Sequence, residues 1–265
     1  LGSLWIGPPG RLRAVADAAT DFDRSADLGV SEFSSLSGGV TVSSLATPPR
    51  RMALSWTGLD DDTAGWLDAL ARRVFGPVPL AVLDPAARNL LDGPASQGSG
   101  PVSAWQLAGS GTLATQAGRT VTVGGTASGS ALRWRHPHWI GWPVPPGVPV
   151  SFTSALAPAA GMCVLDYLNS AGLQIGASPS ATVVTAVPPA GTWWVRPAVL
   201  LSALSDPVPV GPAWLSIGEP VTTAQHAPIG DGCPAMSVTG YTDKPRPPRY
   251  RDMSLTLVEV RRARS

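Results

Sequence analysis

The most chemically suggestive stretch of the chain is Arg133-Trp134-Arg135-His136-Pro137-His138-Trp139-Ile140-Gly141-Trp142. If it is a strand, His136 and His138 fall on one face, and two imidazoles so placed could help hold a metal ion. No acidic or cysteine ligand lies near them in sequence, and His226 is the only other histidine. The pattern therefore points away from a metal site. The tryptophans carry a second chemistry. Trp134, Trp139 and Trp142, with the neighbouring His136 and His138 and the more distant Trp193, could stack against sugar rings through their apolar faces. Packing inside a β-domain is the competing and favoured explanation. Trp193 and Trp194 form a second pair, of which one should face inward and the other outward.

Other catalytic constellations have little to stand on. The chain contains no GxSxG elbow for a nucleophilic serine. Asp60, Asp61 and Asp62 are adjacent acids at the start of a helical pattern, which suits helix capping and not two carboxylates spaced across a glycosidic bond. Gly98-Ser99-Gly100 and Val123-Gly124-Gly125 lack a following helix with a Lys-Ser or Lys-Thr pair, so they read as loops and not as phosphate cradles. Cys163 and Cys233 stand 70 residues apart without a CxxC neighbour, and they read as buried thiols. The expectation is a non-enzymatic protein with no catalytic residues, no metal and no cofactor.

The elements that must position these residues are predicted to be almost entirely β. Glycine (29) and proline (28) are dense, 44% of residues are apolar and only 14% are charged. That composition supplies a core and many turns but little for long solvated helices. A net charge of +1 lacks the basic excess by which nucleic-acid binding gains from counterion release. No apolar run reaches the ~18 residues of a membrane span, and the run before Gly7-Pro8-Pro9-Gly10 is too short for a signal-peptide core.

Along the first ninety residues, short strands surround one helix. Met52, Leu54 and Trp56 alternate on one face of the clearest strand. Asp60 to Thr63 then supply N-cap candidates, Trp66, Leu67, Leu70 and Val74 recur at helical spacing, Arg72 and Arg73 fall in the last turn, and Gly76-Pro77 stops the run. From Asn89 to about Val221 short alternating runs separated by Gly, Pro and Ser turns predict a sandwich or jelly roll, with a hairpin turn at Asn169-Ser170-Ala171-Gly172. The chain closes on Met253, Leu255 and Leu257, again sharing one face, which need a sheet to join.

Three stretches carry a family resemblance. FSSLSGGVTVSSLATPPRRMALSWTGL, the helix DDDTAGWLDALARRVFGP and PLAVLDPAARNLL resemble the N-terminal domain of distal tail and minor tail proteins from long-tailed actinobacterial phages. The terminal RYRDMSLTLVEV resembles the strand with which such proteins end, and the residues between Asn89 and Val221 resemble an inserted carbohydrate-binding-module-type jelly roll. The resemblance spans essentially the whole chain through patterns of elements, without a catalytic signature.

It implies an all-β fold with one short helix at about residues 60–75. A β-sandwich-like tail domain, residues 1–88 plus 226–265, would be completed by the C-terminal strand, and residues 89–225 would form the inserted jelly roll. The implied role is a structural virion protein of a tail tip or baseplate, assembled in the host cytoplasm. It would form a homo-oligomeric ring, a hexamer or alternatively a trimer, joining the tail tube to tip proteins, with the jelly roll contacting host-surface polysaccharide. The alternative is a stand-alone adhesion module for surface polysaccharide, and a polysaccharide-active enzyme is a third and weaker one. Lys244, Arg246, Arg249, Tyr250 and Arg251, beside exposed turn residues, form a candidate subunit-interface arm.

Overall fold

The computed structural model describes residues 3–15, 19–26, 28–35, 37–43, 45, 48–247 and 249–260. Within the first of the resembling stretches, Leu36, Ser44, Ala46 and Thr47 lie outside the described residues. The elements run, in chain order, β1 (Leu4–Gly7), β2 (Arg13–Val15), β3 (Asp21–Ala26), β4 (Ser31–Ser34), β5 (Val40–Ser43), β6 (Arg50–Asp60), α1 (Asp61–Ala71), β7 (Leu80–Leu83) and α2 (Gly93–Ser96). They continue with β8 (Trp105–Ala108), β9 (Thr112–Thr115), β10 (Val121–Gly124), β11 (Ala131–Trp134), β12 (Trp142–Pro143), β13 (Val150–Ser154), α3 (Leu156–Ala160) and β14 (Gly161–Leu168). The last are β15 (Gln174–Ser180), β16 (Val183–Ala186), β17 (Trp194–Leu201), β18 (Val208–Pro209), β19 (Ala213–Ile217), β20 (Ala235–Arg246) and β21 (Tyr250–Glu259).

The chain is thus mostly β-sheet, in several separate sheets, with few and short helices. The expected single helix is joined by the short α2 and α3, each built on a proline-containing GPAS or LAPAA run too short to show helical periodicity. Among the described residues no helix is long and apolar enough to cross a membrane.

Two compact units divide the chain: Leu1–Ala14 with Ala81–Cys233, and Val15–Leu80 with Pro234–Ser265. These differ from the expected 1–88 plus 226–265, because β1 pairs antiparallel with β7 through Trp5–Leu83, Ile6–Val82 and Gly7–Ala81. That pairing groups the first residues with the larger unit.

In the smaller unit, strands β20, β21, β6 and β3 lie side by side in that order, all antiparallel. The closing strand finds its sheet there, with Met253 opposite Trp56, Leu255 opposite Leu54 and Leu257 opposite Met52. All six are buried, so two alternating strands present one continuous apolar face. Helix α1 covers it with Ala64, Leu67 and Leu70. The Asp60 carboxylate accepts from the Thr63 backbone N–H at 2.8 Å and from its hydroxyl at 2.9 Å, which holds its pKa below the usual carboxylate value. The acidic run therefore caps the helix. The helix ends at Ala71, so Arg72 and Arg73 lie just past it and Val74 is exposed instead of continuing the apolar stripe.

In the larger unit three sheets share one hydrophobic core. One runs β15-β14-β17-β11-β8, with β12 also on β17, and the other two run β16-β13-β19 and β18-β10-β9. Cys163, Leu165 and Tyr167 from β14, Val195, Val199 and Leu201 from β17, and Leu132 and Trp134 from β11 point into that core. They meet Phe152 from β13, Leu215 and Ile217 from β19, and Val121 and Val123 from β10. The predicted hairpin turn joins β14 to β15. There the Asn169 side-chain oxygen accepts from the Ala171 and Leu173 backbone N–H groups, both at 3.0 Å.

Candidate functional site

The aromatic and histidine cluster that opens the sequence reading folds inward. Trp134 ends β11 with no exposed surface; its Nε1 donates to the Ala95 carbonyl at 3.3 Å and its ring meets Phe152 edge-on at 5.2 Å. Trp142 is equally buried and donates from Nε1 to the Leu90 carbonyl at 2.8 Å. Neither presents a face to a glycan. β11 stops at Trp134, so His136 and His138 lie in the following bend and not on a strand.

His136 is a packing and bracing residue. Its Nδ1 accepts backbone N–H groups from His138 and Trp139, both at 3.1 Å. With Nδ1 an acceptor, Nε2 carries the proton and donates to the Cys233 carbonyl at 2.8 Å. Burial pushes its pKa down to about 3, which keeps it neutral and fixes the bend around it. Among the described residues no group of three or more His, Cys, Asp or Glu side chains comes together to hold a metal. Trp193 packs against the first turn of the chain. Gly10 has φ +76°, and a Cβ there would sit 2.2 Å from the Trp193 ring. Trp193, His138 and Trp139 are only partly buried, but Trp139 also packs against the core and against the rings of His136 and His138.

A different constellation occupies the opposite face of the six-stranded sheet. Residues alternating with the core set point outward: Arg133 on β11, Asp166 on β14, and Trp194 and Arg196 on β17. Asp166 and Arg196 are direct cross-strand partners. The Arg196 Nη2 lies 3.1 Å from Asp166 Oδ2, the Arg133 Nε lies 3.4 Å from the same oxygen, and Gln174 donates to Oδ1 at 3.3 Å. The Asp166 side chain is 7% exposed, against 17% for Arg196 and 24% for Arg133. The carboxylate is therefore sealed beneath two guanidinium groups that still reach solvent. Trp194 and Trp139 lie beside this group with ring centroids 5.9 Å apart. Sequence reading missed Asp166, Arg133 and Arg196 because they come from three strands distant in the chain. Asp166 and Arg196 are each a single polar residue in an apolar run, and Arg133 opens the aromatic stretch without a partner near it in sequence, so only strand register can assemble the three.

The smaller unit offers two hairpins. The predicted arm is the tip of β20–β21, where Lys244 pairs with Asp252 in register, Pro245 with Arg251 and Arg246 with Tyr250. Its charges are largely satisfied within the hairpin. Arg251 makes a two-pronged ion pair with Asp243, its Nε at 3.0 Å from Oδ1, and this holds the Asp243 carboxyl below its usual pKa. Arg246 Nε lies 3.1 Å from Asp252 Oδ2. Lys244, Arg249 and Tyr250 are exposed at the tip.

The second hairpin, β4–β5, joins no other strand among the described residues. Glu32 faces Val42, Phe33 faces Thr41 and Ser34 faces Val40. Val40 (58% exposed) and Val42 (60%) thus stand on one face, and Phe33 (79%) on the other. Every residue of both strands is exposed. In the same unit β3, the end strand of the four-stranded sheet, is exposed along most of its length.

No family model matches this sequence, and no curated protein matches it significantly.

Proposed function

We propose that this chain is a structural virion protein of a phage tail tip or baseplate. It assembles into a closed homo-oligomeric ring through its smaller unit, between the tail tube and the tip proteins, and has no catalytic role. The observation that carries this reading is the β4–β5 hairpin. An isolated two-stranded hairpin is marginal in water, and this one exposes three large apolar side chains on its two faces. A surface of that kind marks a protein interface. Its occupant is a second copy of this chain, because the same unit supplies an acceptor: the edge of β3, which pairs with no further strand among the described residues and can take one. A hairpin of one copy on the edge of the next is a head-to-tail contact, and such contacts close into rings when the rotation permits. The larger unit, with three sheets around one core, then serves as the displayed jelly roll.

Particle mass and symmetry, from native mass spectrometry and negative-stain images of the purified protein, test this. The expected result is a ring of six, or alternatively three, copies; a stable monomer at micromolar concentration rejects the assembly role. One observation favours the second reading, a surface-polysaccharide adhesion module. It is the outward face of the six-stranded sheet, with tryptophan rings beside polar side chains. A monomer that binds glycans would promote that reading.

A further inference from the structure

We propose that the outward face of the β15-β14-β17-β11-β8 sheet binds a carboxylate-bearing saccharide, a polymer of the uronic-acid type. The proposal rests on the adhesion role of the larger unit and is independent of ring assembly.

Charge is the first argument. The strands of this sheet carry Arg133, Arg196 and Asp166 as their only charged residues. Arg135 stands just past the end of β11 and is exposed. Three guanidinium groups thus lie on or beside a sheet that carries one carboxylate, in a chain whose net charge is only +1. Asp166 does not neutralise them all. Arg133 approaches it at 3.4 Å through Nε, a distance of ion pairing at which Nε makes no hydrogen bond. A guanidinium fork is shaped to take a carboxylate through two parallel hydrogen bonds. Arg196 is held in place by Asp166, which makes the positive surface preorganised and not merely charged.

The neighbours of these arginines indicate a sugar as the carrier of that carboxylate. Gln106, directly opposite Arg133 on β8, is exposed, and Gln174 approaches from β15. Carboxamides both donate to and accept from hydroxyl groups. Trp194 and Trp139, partly exposed, supply an aromatic edge against which the apolar face of a pyranose ring can pack.

The test is calorimetric titration of the full chain in about 150 mM salt, where long-range attraction is screened. Three polymers serve as probes: polygalacturonate, its fully methyl-esterified and therefore neutral twin, and polyphosphate. The expected result is saturable binding of polygalacturonate alone, weakened at least tenfold by Arg133→Ala and by Arg135→Ala. Arg135 is exposed and makes no side-chain hydrogen bond or ion pair among the described residues, so its variant remains informative if Arg133→Ala loosens the sheet. Equal binding of the methyl ester would overturn the carboxylate assignment and leave the adhesion role standing. Equal binding of polyphosphate would reduce the site to unspecific attraction and overturn it. Binding of none of the three would reject the proposal, while a neutral-glycan array would then decide the adhesion role separately.

Discussion

The two hairpins of the smaller unit make opposite use of exposure. β20–β21 is long and rooted in the four-stranded sheet, and its polar tip satisfies its own charges through Arg251–Asp243 and Arg246–Asp252. β4–β5 is short, has no neighbouring strand among the described residues, and holds Phe33, Val40 and Val42 in solvent. Arginines beside prolines look like an interface arm in sequence, yet paired charges at a surface are already content and contribute little to association. Exposed apolar side chains on an unsupported hairpin have no such internal partner. Burial of apolar area drives association, and this is why the second hairpin is the interface we propose.

The comparison can be broken most decisively at Val40 and Val42. Val40→Asp with Val42→Asp should abolish the oligomer while leaving the thermal unfolding of each chain nearly unchanged, as read by mass photometry and circular dichroism. An intact oligomer would return the interface to the other hairpin. Next in size is Leu255→Ala, at the root of β21. Truncating this buried side chain should cost about 2–5 kcal/mol of stability by denaturant titration, because that hairpin belongs to the core. Tyr241, on β20, donates its hydroxyl to the Asp68 carboxylate of α1, and burial followed by that carboxylate pushes its pKa up to about 12. Tyr241→Phe should cost about 1 kcal/mol, tying the hairpin to the helix without changing particle mass.

Acid weakens the tip as well as the Asp60 cap of α1, and residue-resolved exchange separates the two. The Asp243 carboxyl is depressed in the fold, so the stabilisation from its pairing with Arg251 is present above its unfolded value of 3.8 and is lost as pH falls through the lower folded value. Amide exchange at residues 243–251 should accelerate over that window, and Asp243→Asn should remove the pH dependence. The smallest effect is expected from Arg246→Ala with Arg249→Ala. These should leave mass and stability within about 0.5 kcal/mol of the parent; loss of the oligomer would restore the arm to the interface.

What the sequence made legible follows from how local each signal was. The alternation of Met52, Leu54 and Trp56 and of Met253, Leu255 and Leu257 foretold two half-buried strands, and the acids before the helix foretold its cap. Asn169 to Gly172 announced a hairpin because turn chemistry is written in adjacent residues. The fate of Trp134, Trp142 and His136 was not local. Whether an indole points at a core or at solvent depends on which sheet lies above it, and Phe152, Ala95 and Leu90, distant in the chain, decide the matter. The Arg133, Asp166 and Arg196 group was invisible for the same reason. Residues 30 and more apart meet only once β11, β14 and β17 are in register.

The most direct test of the assembly claim is chemical cross-linking between two singly substituted chains. Both native cysteines, Cys163 and Cys233, are buried, so thiols introduced by Thr41→Cys on the hairpin and Asp23→Cys on the β3 edge would be the accessible ones. A short bismaleimide should join the two substituted chains when they are mixed and join neither to itself. Cross-linking of the Thr41→Cys chain to itself, or no cross-link in the mixture, would contradict the head-to-tail ring.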